Sequence, residues 1–150
     1  MGAMTLTELA EHFELLDGWE ERYRYLIDLG RTLAPMDPAL KSDATKVQGC
    51  MSQVWLVSRM DGDVLRFTAD SDAAIVRGLV AVLMIAYDGQ RPEAIAALDI
   101  GPVFDDLGLA QHVSMNRRNG FFAMVARIHA EARAALGPRG PELAEGSGAA

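Results

Sequence analysis

The most apolar run of the chain, residues 73–87, carries a single charge, Arg77, over about 15 residues. A bilayer span needs about 18–20, so this run reads as a buried helix rather than a membrane segment. A helix apolar nearly all round must be covered on most of its circumference. Asp70-Ser71-Asp72 precedes it, offering a side-chain oxygen for capping and negative charge at the positive end of the helix dipole. Asp88-Gly89 ends it. The cover comes from just upstream. Residues 54–60 and 64–69 alternate as strands and flank Asp61-Gly62, a dipeptide suited to the positive φ angles of a tight hairpin. With Asp61-Gly62 as a two-residue turn, Arg59 faces Val64, Val57 faces Arg66 and Leu56 faces Phe67. Val54, Leu56, Ser58, Leu65, Phe67 and Ala69 then share one sheet face, against which the helix is expected to lie.

The rest of the chain reads as helices around this unit. Thr5 or Thr7 caps a first helix with Leu6, Leu9, Ala10, Phe13 and Leu16 at helical spacing. Asp17 and Glu20 have the spacing of a capping box for a second helix, which carries Trp19, Tyr23, Leu26, Ile27 and Leu33 and ends before Pro35. Residues 34–45 are a loop with room for one helical turn, and 46–48 a short extended piece that breaks at Gly49-Cys50. Pro92 and Pro102 each suit the first position of a short helix, and Gly108 can end the second. Ser114 caps a last long helix with Phe121, Met124, Val125, Ile128, Ala132 and Leu136 in one stripe. The fold class expected is α+β, a small antiparallel sheet with helices packed against it. Residues 1–137 form one domain and 138–150, rich in Pro, Gly, Glu and Ala, a flexible tail.

Composition narrows the function. A formal net charge of −7 disfavours nucleic acid and anionic membranes, which select clustered Lys and Arg. Lys41 and Lys46 are the only lysines, leaving few places for Schiff-base chemistry. No basic segment leads into an apolar run at the N-terminus, so no signal peptide is expected. His12, His112 and His129 lack metal-site spacing and read as surface or loop residues; no phosphate loop or Gly-x-Ser-x-Gly elbow is present. No metal and no bound cofactor is expected.

One residue stands out. Cys50 is the only cysteine, which rules out an internal disulfide and points to a reducing, cytoplasmic setting. A free cysteine is commonly a small buried hydrophobe. Against that, Gly49 permits a sharp turn, the site falls where a strand breaks into a loop, and a lone thiol suits sulfur carriage: a second thiol would attack a persulfide and discharge it. Gln53 either donates a hydrogen bond to this loop or, as a strand-start residue, does nothing there. Arg117 falls on the inward stripe of the last helix, where it needs a partner such as the thiolate or Asp72, unless its head reaches water.

Taken together these residues resemble the SufE family of sulfur-acceptor proteins in iron–sulfur cluster assembly. The matching pieces are Val47-Gln48-Gly49-Cys50 with Ser52-Gln53-Val54-Trp55-Leu56, Ala69-Asp70-Ser71-Asp72-Ala73-Ala74-Ile75-Val76 with Gly78-Leu79, and Tyr87-Asp88-Gly89 with Pro92-Glu93. Leu107-Gly108-Leu109, His112-Val113-Ser114, Arg117, Asn119-Gly120 and Ala123-Met124 continue it. The resemblance implies an architecture shared with IscU-type scaffolds, which use three cysteines where this chain has one. It implies that Cys50 accepts sulfane sulfur from a PLP-dependent cysteine desulfurase of the SufS type, stimulates that enzyme, and passes the sulfur to a SufBCD-type scaffold complex. The PLP belongs to the desulfurase. A CsdA-type partner fits the residues equally. The resemblance also places Asp72 near the cysteine loop, with influence on how readily it extends, while Arg117 is the cation expected to favour the thiolate. Met51, where the family commonly has a polar residue, would make the thiol's shelter more apolar. The competing reading is a protein-interaction module with Cys50 inert.

Overall fold

A computed structural model describes residues 4–50 and 52–137. The expectations for Met51 and for the tail at 138–150 lie outside the described residues. The described elements run α1 (Leu6–Glu14), α2 (Gly18–Gly30), β1 (Val54–Asp61), β2 (Val64–Ser71), α3 (Ala74–Tyr87), α4 (Pro92–Ala97), α5 (Gly101–Asp106), α6 (Leu109–His112) and α7 (Met115–Leu136), with one 3-10 turn at Pro38–Leu40. The arrangement is α+β, as the sequence leads one to expect.

The hairpin differs from its expected form in an instructive way. Its turn is Gly62-Asp63, not Asp61-Gly62, and the register pairs Leu56 with Ala69, Ser58 with Phe67 and Arg59 with Arg66. The correction is a slip of two residues in partner. Because side chains alternate with period two, a slip of two leaves every residue on its expected face. Val54, Leu56, Leu65, Phe67 and Ala69 are all buried. The edges of the hairpin are extended by short bridges, Lys46 to Trp55 on one side and Leu65 to Gln90 on the other.

Helix α3 lies against this face and contributes Ile75, Val76, Leu79, Val80, Val82, Leu83 and Tyr87 to the core. Helix α2 packs on it so closely that both contact positions are glycine. A Cβ added to Gly30 would lie 2.7 Å from the Gly78 nitrogen, and one on Gly78 would collide with the Leu26 carbonyl. Backbone atoms cannot yield as a flexible side chain can, so no residue with a Cβ fits without parting the helices.

The expected helix caps are partly reassigned. Thr5 and Glu8 form the capping box of α1, whereas the expected Asp17–Glu20 box is absent: Glu21, one residue on, accepts from the Asp17 backbone N–H at 3.1 Å, and the Asp17 side chain caps nothing. The acidic triplet before α3 does not cap it either. The N-cap position is Ala73, without a side-chain bond. Asp70 instead lies 3.0 Å from Lys41 Nζ and 3.2 Å from Arg77 Nε, and accepts from the Ser71 N–H. Burial works to raise the Asp70 carboxyl, but the Lys41 and Ser71 hydrogen bonds and the charges of Arg77 and Lys41 outweigh it and hold it below the ordinary carboxylate value. Its side chain thereby joins the loop before the hairpin to the sheet and to α3.

His129 also departs from expectation. It is half-buried on α7, and its Nε2 lies 3.2 Å from the Tyr87 hydroxyl, which itself donates to the Leu98 carbonyl at 3.0 Å. Burial first, and the Asp99 charge second, push Tyr87 up to about 12.

Two outcomes are expected. Gly78→Ala should destabilise the fold by about 2–4 kcal/mol, more than the usual 1–3 for overpacking because backbone is struck; a midpoint of urea unfolding unchanged from the parent would refute the tight contact. Asp70→Asn should cost about 1–3 kcal/mol at pH 7. Since the folded carboxyl titrates below its ordinary value of 3.8, that difference should be full above this pH and close as the pH falls through the lowered folded value. A pH-independent gap between parent and variant would contradict it.

Candidate functional site

Cys50 sits in the loop of residues 48–53, whose two ends are fastened together: the Val47 N–H donates to the Val54 carbonyl at 2.8 Å. Gly49 adopts φ +93°, and a Cβ there would lie 3.3 Å from that of Ala123. Any other residue would be strained at this φ, so the glycine is required for the turn that aims the thiol. The thiol is half-buried. Its Sγ donates to the Gly120 carbonyl of α7 at 3.6 Å, a long and weak bond. Gly120 faces the sulfur, and a Cβ at that position would lie in ordinary contact with it at 3.5 Å.

Beside Cys50 opens a cavity of about 190 Å³, several times the ~30 Å³ share of one liquid water. Its lining is apolar on the core side, with Val54, Val76, Leu79, Phe121 and Met124, and polar around Ser52, Ser114, Asn116 and Arg117. The apolar wall is built by β1, α3 and α7, so the core of the fold doubles as one side of the site.

The four residues singled out from the sequence are placed as follows. Cys50 and Arg117 share the cavity. Arg117, however, is exposed, the second of the two alternatives that its place on the stripe left open, with the head reaching water. It occupies the first turn of α7, where the stripe emerges from the core, and its backbone N–H is capped by Ser114 Oγ at 3.2 Å. Asp72 and Gln53 meet each other: the Gln53 N–H donates to Asp72 Oδ1 at 3.1 Å and the Asp72 N–H to the Gln53 carbonyl at 3.2 Å. Asp72 therefore closes the base of the cysteine loop, and its carboxylate is engaged by that loop rather than by Arg117. Gln53 contributes its backbone, with its side chain in solvent.

The electrostatics favour the protonated thiol. Burial pushes Cys50 above its ordinary value of 9.0, with no cation offsetting it. At neutral pH the resting side chain is a neutral thiol, not a nucleophile.

Sequence reasoning gave no role of its own to two contributors. Gly120, named only among the matching residues, is a mid-helix glycine, which costs about 1 kcal/mol relative to alanine, and it faces Cys50. Arg127, one turn beyond Ala123, donates to the Lys46 and Ala44 carbonyls at 3.4 and 3.3 Å. Backbone acceptors leave no trace in sequence, so nothing marked it.

Among the described residues no group of three or more His, Cys, Asp or Glu is placed to hold a metal, and no helix is long and apolar enough to cross a membrane. A lone sheltered thiol on a glycine-turned loop, carried by an α+β domain, defines a single-cysteine site. The SufE Fe-S metabolism associated domain matches residues 7–132. An uncharacterised SufE-like protein of Rhizobium meliloti (strain 1021) is 43% identical over 136 residues, covering 88% of this chain and 97% of the relative. Another, from Rhizobium etli, is 44% identical over 133 residues, covering 86% and 90%. The solution structure of a hypothetical protein from Thermus thermophilus has the same fold, with a TM-score of 0.74 at 23% identity over 90% of this chain and all of that one. The chain belongs to the SufE family, and its place is in iron–sulfur metabolism.

The site yields a direct test of its electrostatics. Alkylation of Cys50 by iodoacetamide should rise with pH about a midpoint above that of a free cysteine peptide, since burial disfavours the thiolate. A midpoint at or below the peptide's would mean that a cation overrides the burial.

Proposed function

We propose that the protein is a persulfide sulfur carrier: Cys50 accepts sulfane sulfur from a PLP-dependent cysteine desulfurase of the SufS type, stimulates it, and delivers the sulfur to a SufBCD-type scaffold complex. The observation that carries this reading is the position of the single thiol, half-buried beside an apolar-walled cavity on a loop turned by Gly49. Membership of the SufE family supports it. The PLP is the desulfurase's own, and this chain uses no cofactor. The single cysteine also supports a reducing, cytoplasmic setting.

In the transfer, the Cys50 thiolate attacks the terminal sulfur of the enzyme persulfide. A new S–S bond forms at Cys50, the enzyme's S–S bond breaks, and the enzyme cysteine leaves as thiolate. The scaffold then takes the terminal sulfur in the same manner, returning Cys50 to thiolate. Before the first step the Cys50 proton must leave, and burial opposes that. Outward movement of the loop removes the burial and brings the sulfur toward the exposed Arg117, whose charge favours the thiolate. Cys50 lies three residues past Val47, so with the stem fixed its Cα can stand up to roughly 10 Å from that residue. That is enough to leave the cavity without unfolding the sheet. Asp72, bonded to the loop's last residue, bears on how readily this happens. Withdrawn, the persulfide has the cavity beside it, where dissolved thiols reach it less easily.

The test is intact-mass measurement after incubation with a SufS-type desulfurase, PLP and cysteine. One added sulfur is expected on the parent protein and none on Cys50→Ala. No added sulfur, together with unaltered desulfurase turnover, would leave an interaction module with an inert thiol. Arg117→Ala should slow both the transfer and the alkylation of the isolated protein, because the exposed arginine acts on the emerged sulfur that both reactions use. Equal transfer rates for parent and variant would remove Arg117 from the mechanism.

A further inference from the structure

Three residues on one face of α7 touch the cysteine loop and the strand leading into it. The Gly120 carbonyl accepts from the thiol, Ala123 abuts Gly49, and Arg127 reaches the carbonyls of Ala44 and Lys46. Their spacing of three and four residues places them in one row along the helix. Arg127 is itself aimed by Glu131, whose Oε2 lies 3.1 Å from its Nε. The other carboxylate oxygen of Glu131 accepts from the Ser58 hydroxyl of β1. The guanidinium is thus fixed on one edge by α7 and β1, and its two remaining nitrogens grip the backbone just before the loop.

That backbone is also held by Thr45, whose hydroxyl donates to the Leu40 and Ser42 carbonyls, and by the buried Val47 side chain. Residues 44–47 pair with β1 through two hydrogen bonds, Val47 N–H to the Val54 carbonyl and Leu56 N–H to the Thr45 carbonyl. They belong to neither β-strand of the hairpin. Arg127 adds the direct tie between this stem and α7, so its loss should loosen the stem at residues 44–46, where the two carbonyls are gripped. Arg127, Glu131 and Ser58 lie outside the cavity beside Cys50, so their effect on the thiol runs through the stem.

We propose that Arg127, oriented by Glu131 and Ser58, is a positioning residue for Cys50: it clasps the loop's stem to α7, keeps the resting thiol against Gly120, and confines its outward excursion to the six-residue loop. The role given to Cys50 in sulfur transfer supplies its biological sense. The clasp itself is read on the isolated protein, without sulfur or a desulfurase.

The experiment compares the parent chain with Arg127→Ala, Arg127→Lys and Glu131→Gln, each checked for native circular dichroism. It measures iodoacetamide alkylation of Cys50 across pH, and hydrogen exchange of the Val47 and Leu56 amides. Arg127→Ala should alkylate about 3- to 10-fold faster, roughly the net worth of one ordinary hydrogen bond because both bonds are long, with faster exchange at both amides and no change at Leu79 or Leu83. A merely structural arginine would loosen all four together. Lysine, able to reach one carbonyl at a time, should restore part of the slow rate, and Glu131→Gln should fall between parent and alanine. Should Arg127→Ala not fold, Arg127→Lys and Glu131→Gln carry the comparison. Alkylation and stem exchange unchanged in the folded variants would overturn the proposal. That result would leave the mass gain on Cys50 untouched, just as a missing mass gain would leave these rates standing.

Discussion

The structure depends on the approach of two helix backbones at Gly30 and Gly78. That contact lets α2 cover the outer side of α3 while the hairpin covers the inner side. An almost wholly apolar helix is stable in water only when enclosed, and each uncovered leucine or valine would forgo about 1.5–3 kcal/mol. Enclosure fixes α3, and α3 in turn supplies Val76 and Leu79 to the wall beside the thiol. The site is therefore placed by the best-packed part of the molecule. The cysteine itself stands on a loop at the edge of the hairpin.

Shelter and reactivity pull against each other at Cys50. Burial that protects a sulfur also raises the thiol above its ordinary value, and a protonated thiol does not attack. In the proposed transfer, separation in space resolves this: a neutral sheltered position, an exposed cation lining the cavity, and a loop turned at Gly49. The weak Sγ–carbonyl bond at 3.6 Å is suited to such an arrangement, for a strong one would hold the sulfur back.

Much of this is legible in the sequence because it follows from periodicity. The alternation in the hairpin identifies the buried face even with the turn misplaced, since a slip of two preserves every face. The apolar run of α3, the proline and glycine punctuation of the short helices, and Ser114 as a cap are local signals. Side-chain partners are less legible. Asp70 and Asp72 look like caps but bind a distant lysine and a distant backbone N–H, because tertiary contacts offer the carboxylates better company than the helix end. Arg117 sits on the apolar stripe by count, yet the stripe leaves the core before its first turn. The four-residue α6 and the grip of Arg127 on two carbonyls depend on chain geometry alone, which no residue pattern encodes.

The short bridges flanking the hairpin carry a further consequence. Two strands alone would present two bare rows of amides and carbonyls, a template on which another chain could add a strand and begin aggregation. Here residues near Lys46 cover one row and Gln90 covers part of the other. A stem that stays seated keeps that template covered. Resistance to strand addition thus rests on the same few residues that hold the loop's base.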